Sequence, residues 1–426
     1  MKKLALFVMV SLFLFVGCGG KNKEQDKSGA FVIEYWNALT GPDGPYMTKM
    51  IDDFNKTHTG KIIVKQQIIP NDDLYSKLAA AGNKEKNKPD VILMDNTRIP
   101  QYANNGTLMD LTDLVNKFSI KKDDYIPDAW DATVVDGKNY AIPFDSYPFF
   151  LYYNKKILAE IGYTEEDLKD TTMDKILEMS QKAKEKGYVG VAVFDAWPWP
   201  EILMGFIKQK GLDIIDANNE YKVNFQRPEF VEAFKQYVAA VDKGLTNEPS
   251  VDGVIPFNEG KALFKWDGIW ATTAFMKLKQ DSGVEIGLAP LPKIGEQNKM
   301  YTGSHNLTVV KKEGNTPEKN EAIMEFMKYL SDNSGEFAAA GQVPANKTTW
   351  QSETFKNMPF AFIANYTDSF FYATKTENFA LAGWGGLGKA ATGYLNKTYS
   401  TPEEALKTVE KEVNDQLDQL AKTKKK

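Results

Sequence analysis

Short apolar runs alternate along this chain with longer segments in which apolar residues recur every three or four positions. The short runs are rich in β-branched and aromatic residues and predict strands, whereas the longer segments predict helices. Predicted strands cover residues 30–36, 61–69, 89–95, 149–153, 187–194 and 301–310. Predicted helices begin near residues 46, 74, 107, 173, 201, 228, 322 and 401. This alternation favours an α/β fold with right-handed crossover connections.

Residues 136–155 interrupt the alternation with a long extended segment. Asp136-Gly137 favours a tight turn, and Pro143 and Pro148 exclude a helix and force extended backbone before them. The aromatic run that follows predicts a strand. The segment is therefore either a buried strand pair or an extended crossing that exposes the carboxylate of Asp145 to whatever lies there.

Polar loops follow the first and third predicted strands. Residues 37–45 combine Asn, Thr, Asp, Gly and Pro, and residues 95–98 read Asp-Asn-Thr-Arg. In open α/β sheets, ligands gather at the carboxyl ends of the strands. These loops are therefore candidate parts of a binding site.

Composition narrows the classes of function. A chain of 426 residues exceeds one ordinary core and favours two domains, and its net charge of −5 gives no electrostatic reason to expect nucleic acid binding. Two His and one Cys nearly exclude imidazole or thiolate metal sites, disulfide frameworks and Cys-His catalysis. We therefore expect no metal and no cofactor, and a site made of carboxylate, amide and aromatic groups.

The N-terminus indicates export. A basic start precedes an apolar run at residues 4–16, which is too short for a stable transmembrane span and ends at Gly17-Cys18. This pattern looks like a bacterial lipoprotein signal, with Cys18 as the acylated first residue of the mature protein; the alternative is an ordinary signal peptide with an incidental cysteine. Residues 19–30 predict a flexible tether, and the folded part is expected outside the cytoplasm and anchored to the membrane.

Aromatic and short polar residues occur together in several separated loops. A sugar ring packs its apolar C–H faces on flat aromatic rings and presents hydroxyl groups that match Asp and Asn. Packing in the core remains the alternative for each Trp, and it is preferred for Trp130. The candidate ligand-binding residues are Trp36, Asn37, Asp43, Asp95, Asp145, Tyr147, Trp197, Trp199, Trp266, Asp267, Trp270, His305 and Trp384.

An ordered set of short motifs supports a family resemblance. After the lipoprotein signal come the strand–loop–helix of residues 32–54, GKNYAIP at 137–143, YYNK at 152–155, FNEGKA at 257–262, WDGIW at 266–270, APLP at 289–292 and GQVPANK at 341–347. Together they span nearly the whole mature chain. The chain resembles the extracellular solute-binding proteins of bacterial ABC importers, of the maltose-binding-like sugar-binding type (family 1).

The resemblance implies an α/β protein of two discontinuous lobes joined by hinge strands, with the ligand in the cleft between them. It places residues 31–145 and 289–335 in the N-terminal lobe, residues 146–288 and 336–420 in the C-terminal lobe, and a basic tail at 421–426. Crossings are expected at residues 143–152, near 288–292 and near Gly335. It also implies capture of a sugar by lobe closure, without catalysis, and delivery to the permease subunits of an ABC transporter.

Three alternatives remain open on the residues themselves. A binding protein of the same fold could take a polyamine, because aromatic and acidic groups also suit a cation. A glycerol phosphodiester would need basic groups at loop ends, and Arg98 is the only arginine in a candidate loop. A surface-anchored glycoside hydrolase would use a pair of carboxylates among Asp43, Asp145, Asp195 and Asp267.

Overall fold

The computed structural model describes residues 29–82, 87–193, 200–216, 218–248, 250–372, 376 and 378–424. Its strands are β1 (Phe31–Asn37), β2 (Ile62–Ile68), β3 (Val91–Asp95), β4 (Val134–Val135), β5 (Lys138–Asn139), β6 (Ala141–Pro143), β7 (Asp145–Asn154), β8 (Val189–Ala192), β9 (Ala262–Gly268), β10 (Ile286–Ala289), β11 (Met300–Gly303), β12 (His305–Val309), β13 (Val343–Pro344) and β14 (Phe370–Phe371).

Its α-helices are α1 (Gly44–Thr57), α2 (Asn71–Ala81), α3 (Ile99–Asn104), α4 (Thr112–Lys117), α5 (Pro127–Asp131), α6 (Lys155–Glu160), α7 (Met173–Glu185), α8 (Pro200–Gln209), α9 (Pro228–Asp242), α10 (Val254–Asn258), α11 (Ala271–Ser282), α12 (Pro317–Asp332), α13 (Ser334–Phe337), α14 (Glu353–Lys356), α15 (Gly388–Leu395) and α16 (Pro402–Lys424). A π-helical segment, Leu381–Leu387, precedes α15. No helix in the described part of the chain is both long and apolar enough to span a membrane.

The first sheet has the strand order β2-β1-β3-β12-β6. Strands β1, β2 and β3 are parallel, whereas β12 runs antiparallel to β3 and β6. Helices α1 and α12 cover one face through a core that includes Tyr35, Phe54 and Phe326, while α2 and α3 cover the other face. The N-terminal lobe is thus a sheet covered by helices on both faces, as its apolar strands predict.

The second sheet has the strand order β14-β11-β7-β9-β8, and β10 and β13 also pair with β7. The long strand β7 is the central strand of this sheet, because it pairs with β9, β10, β11 and β13 along its length. The aromatic run at residues 149–153 is buried in this strand and forms the centre of the larger core. The C-terminal lobe is built around that core.

The chain crosses between the sheets through adjacent backbone segments. Phe144 joins β6 to β7, and its backbone bonds to both His305 and Ala345 at 2.9 and 3.1 Å. Ser304 joins β11 to β12, and its N–H donates to the Asn96 side chain at 3.1 Å. The segments around Phe144, Ser304 and Ala345 therefore lie side by side, where a small change in backbone angles would move one lobe against the other.

The second crossing differs from the expected position near residues 288–292. Strand β10 still pairs with β7, and β11 pairs with β7 and β14, so the second sheet continues to Gly303. The sequence predicted one strand over residues 301–310, but Ser304 divides it into strands of two different sheets. The mostly polar residues 302–306 stand at the break, but a strand pattern does not show that its two halves belong to different sheets.

Candidate functional site

A cavity of about 350 Å³ opens at the crossings, between groups that belong to both lobes. The N-terminal lobe contributes the loop after β1, the start of α2 and the ends of β3 and β12. The C-terminal lobe contributes Trp270, the residue before α11. Strand β7, which follows the crossing at Phe144, contributes Tyr147. The lining residues used below are Asp43, Tyr75, Asp95, Tyr147, Trp270, His305 and Gln342.

Two aromatic rings, Tyr147 and Trp270, form the apolar side of the cavity. Their ring centroids are 5.9 Å apart with an angle of 67° between the planes. Each ring lies against a glycine backbone: a Cβ at Gly303 would stand 2.0 Å from the Tyr147 ring, and a Cβ at Gly268 would stand 2.0 Å from the Trp270 ring. These glycines therefore allow both rings to lie close to the backbone with a face available to a ligand.

Asp95 brings a carboxylate from the end of β3 to the cavity. Its Oδ1 accepts a hydrogen bond from the Thr97 backbone N–H at 2.9 Å, and its Oδ2 accepts one from the Tyr147 hydroxyl. The Tyr75 hydroxyl accepts a bond from the Asp95 backbone N–H at 3.2 Å. Asp95 is thus held in place by neutral hydrogen-bond donors at the edge of the cavity.

His305 contributes a cation that is matched by the buried carboxylate of Asp145. Its ring Nδ1 lies 2.9 Å from Asp145 Oδ2, and its backbone N–H donates to Asp145 Oδ1 at 2.8 Å. Burial alone would lower the pKa of His305, but the carboxylates of Asp145, Asp95 and Asp43 raise it to about 9. Asp145 was expected to contact ligand; it is fully buried beneath His305 instead and orients that ring.

Asp43 and Gln342 both line the cavity and lie close to each other. Burial raises the pKa of Asp43, while the charge of His305 and the amide of Gln342 act in the opposite direction. Asp43 Oδ1 and Gln342 Oε1 are buried and have no hydrogen-bond partner among the residues that the structure describes. Buried polar atoms without partners are uncommon in folded proteins, so these oxygens are available for ligand hydroxyls.

A second polar group, outside the cavity lining, lies on the C-terminal lobe. Glu201, in the first turn of α8, accepts a hydrogen bond at Oε1 from the Trp384 indole N–H at 2.6 Å. Trp384 lies in the π-helical segment, and its ring centroid is 6.3 Å from that of Tyr301. Glu201 Oε2 and the Tyr301 hydroxyl are buried without partners in the described part of the chain.

Trp36 and Asn37 lie outside the cavity lining. Trp36 faces the opposite side of the first sheet, where it is buried with Leu74 and Leu78 of α2, and Lys77 Nζ lies 4.3 Å from its ring centroid. Asn37 is fully buried, and its Oδ1 accepts a hydrogen bond from the Leu39 N–H at 3.1 Å. Side chains alternate between the two faces of a strand, so Trp36 and Asn37 of β1 are buried on opposite faces of the first sheet.

Trp266 and Asp267 also lie away from the cavity, within the C-terminal lobe. Trp266 is 5% exposed and belongs to the main core. Asp267 forms a buried ion pair with Lys265, and its Oδ1 accepts a hydrogen bond from the Gly268 N–H at 2.8 Å. Both residues lie within β9, whereas Trp270 follows that strand and reaches the cavity. The predicted residues Trp197 and Trp199, and Cys18, lie outside the described residues.

Sequence reasoning missed three of the residues that shape this site. Tyr75 has no distinguishing signal, because it adjoins the apolar positions of an amphipathic helix. Gln342 lies in the GQVPANK motif that carried the resemblance but had not been named as a site residue. Glu201 contacts Trp384 across 183 positions of sequence, a pairing that only the folded chain makes.

Metal binding has little support in this geometry. Within the described ranges, no group of three or more His, Cys, Asp or Glu side chains could hold a metal ion. The cavity instead combines aromatic faces, carboxylates, an amide and an imidazole, which is the composition of a site for a polar organic molecule.

Comparison with known proteins gives consistent matches over most of the chain. The family of bacterial extracellular solute-binding proteins matches residues 37–336. The diacetylchitobiose binding protein DasA of Streptomyces coelicolor is 25% identical over 81% of this chain and 81% of its own length. The maltodextrin-binding protein MdxE of Bacillus subtilis is 24% identical over the same shares.

Solved structures show the same fold. The sugar-binding protein MalE of Xanthomonas citri superposes with a TM-score of 0.78 at 22% identity, covering 93% of this chain and 99% of its own. The GacH receptor of Streptomyces glaucescens gives a TM-score of 0.76 at 19% identity, covering 91% and 98%. With the family match spanning more than half of its residues, the chain belongs to the bacterial extracellular solute-binding proteins.

Proposed function

We propose that this protein captures a sugar or oligosaccharide outside the cytoplasm and delivers it to the permease of an ABC transporter. The observation that carries the proposal is the cavity between the lobes, where the Tyr147 and Trp270 rings face Asp43, Asp95 and His305. Rings of this kind pack on the C–H faces of a sugar, and the polar groups match its hydroxyls. The names of the relatives mention sugars, and this supports a sugar as the class of ligand.

Capture would proceed by lobe closure. Trp270 belongs to one lobe, Asp43 and Asp95 belong to the other, and Tyr147 lies on the strand that joins them. A ligand that bonds to both sides binds the closed form more tightly than the open form and therefore shifts the population toward it. The permease would recognise that closed form, and no covalent bond changes.

The lobe boundaries and the anchor are part of the same proposal. Sheet membership supports a division at Phe144 and Ser304 and a third crossing between Phe337 and Ala345. Acylation at Cys18 would hold the protein at the membrane, with residues 19–30 as a tether.

Metabolic labelling with a fatty acid tests the acylation. Wild type should be labelled and Cys18→Ala should not.

A calorimetric screen tests the ligand class. Maltotriose, chitobiose and its acetylated form, xylobiose and spermidine would be titrated into the mature protein, with turnover followed by a reducing-sugar assay. We expect saturable binding of at least one saccharide without hydrolysis. Binding of spermidine alone would exclude the sugar class, and release of new reducing ends would indicate the glycoside hydrolase alternative.

A further inference from the structure

Asp95 lines the cavity, and Glu201 of the C-terminal lobe lies close enough for the charge of Asp95 to act on its pKa. The charge of His305 pairs with Asp145 and also acts on Asp95 and Asp43, so one cation is shared by three carboxyl groups. Asp95 and Glu201 both lack a salt bridge to a basic side chain among the described residues, and Asp95 is the charged group that acts on the pKa of Glu201. Carboxylates removed from water without a cation are costly, so this arrangement favours a positively charged ligand group.

The geometry around Glu201 presents a free acceptor. Trp384 holds Oε1 through its indole N–H at 2.6 Å, which leaves the buried Oε2 without a partner in the described part of the chain. Burial raises the pKa of Glu201 to about 7, and a cation placed beside it would favour the ionised form. A ligand that supplies the cation would satisfy this oxygen.

Tyr301 gives a second, independent indication. Its side chain is 1% exposed, and its hydroxyl has no hydrogen-bond partner in the described ranges. Trp384, which holds Glu201, lies beside Tyr301, and the pKa of the Tyr301 hydroxyl is raised by burial first and then by the charges of Asp95 and Glu201. A phenol oxygen beside two carboxylates can accept one hydrogen bond from an ammonium group while each carboxylate accepts another.

Two further aromatic rings, those of Trp384 and Phe149, lie close to Tyr301. The Tyr301 and Trp384 centroids are 6.3 Å apart, and Phe149 lies 6.1 Å from Tyr301. The negative faces of such rings attract an ammonium group, and the attraction strengthens where water is excluded. Aromatic rings with two carboxylates are therefore the composition expected of a site for an organic cation.

We propose that Asp95, Glu201 and the Tyr301 hydroxyl form a subsite for an ammonium group, so that the preferred ligand is a saccharide bearing a free amine. The inference rests on the sugar-binding function proposed above and names its ligand class. A polyamine carries the same ammonium chemistry without a sugar ring, and the test separates these two sources.

The test compares the glucosamine disaccharide with its diacetylated form, which has the same rings and linkage but no charge. By calorimetry near neutral pH, wild type should bind the free-amine form at least tenfold more tightly. Glu201→Gln keeps the shape but removes the charge and should reduce this preference at least fivefold. Tyr301→Phe should reduce it by a smaller factor, and Glu160→Gln, at a surface carboxylate that bonds Tyr188, should leave it unchanged.

The outcomes separate the two proposals. Equal affinities for both disaccharides, or a preference that survives Glu201→Gln in a folded variant, overturns the ammonium subsite and leaves sugar binding intact. Tight binding of spermidine with neither disaccharide bound supports the subsite and overturns the sugar class. Failure of the free-amine disaccharide and of spermidine to bind, when maltotriose binds, also overturns the subsite.

Discussion

Two tryptophans four positions apart in one motif provide the sharpest test of the site. Trp266 is buried in strand β9, whereas Trp270 follows that strand and lines the cavity. If a sugar ring covers roughly 70 Å² of the Trp270 face at about 25 cal/mol per Å², stacking contributes about 1.8 kcal/mol, or roughly 20-fold in affinity. We therefore expect Trp270→Ala to weaken ligand binding about 20-fold, with a smaller loss of stability than Trp266→Ala causes.

Trp266→Ala should instead destabilise the fold and leave the affinity for ligand nearly unchanged. Removing a buried tryptophan from a packed core costs about 3–5 kcal/mol in the free energy of unfolding, because a cavity remains. Affinity in the folded fraction should change by less than about threefold, which corresponds to well under 1 kcal/mol. Calorimetry gives the affinity, and denaturant titration followed by circular dichroism gives the stability.

The control is Trp350→Ala, which removes a half-buried tryptophan outside the cavity lining. Trp350 stacks on Phe355 with centroids 5.5 Å apart. The Trp350→Ala variant should lose some stability and should bind ligand with the affinity of wild type. If Trp266→Ala abolishes binding at unchanged stability while Trp270→Ala binds as wild type does, the assignment of the two tryptophans is wrong.

The remaining predictions concern the polar network and the glycine contacts. The pKa of His305 is raised from 6.5 to about 9 in the folded protein, so its pair with Asp145 stabilises the fold fully below about pH 6.5, and this contribution is lost as pH rises toward 9. The free energy of unfolding should therefore fall more steeply over this window in wild type than in His305→Asn, and parallel profiles would contradict the pairing. Gly303→Ala places a Cβ 2.0 Å from the Tyr147 ring and should displace that ring from Asp95, which lowers affinity at least fivefold. Gly388→Ala is its control, because the nearest atom there is 3.8 Å away, and equal affinities of the two variants would refute the steric argument.

Much of the fold could be predicted from local chemistry. Alternating strands and helices indicated the α/β class, and the prolines and aromatic run of residues 136–155 indicated an extended segment. Polar loops at strand ends pointed to Asp43 and Asp95, which both line the cavity. These features are encoded over a few neighbouring residues, so no knowledge of distant contacts is needed to see them.

Other properties required the tertiary structure. The sequence alone placed Trp36, Trp266 and Trp270 in one class, because each is an aromatic residue near a polar one at the end of a predicted strand. Their difference depends on which face of a sheet each side chain occupies and on what covers that face. A shift of one position along a strand reverses the face, and composition does not record that choice.

Long-range pairing decided the chemistry of the cleft. Asp145 meets His305 across 160 positions, and Glu201 meets Trp384 across 183. Each partner is an ordinary polar or aromatic residue in its own segment, and the pKa values of His305 and Glu201 shift only when folding places them with their partners where water is scarce. The sequence by itself determined the kinds of groups that this protein could offer to a ligand, and the tertiary structure decided which of them face the cavity and which are neutralised beneath it.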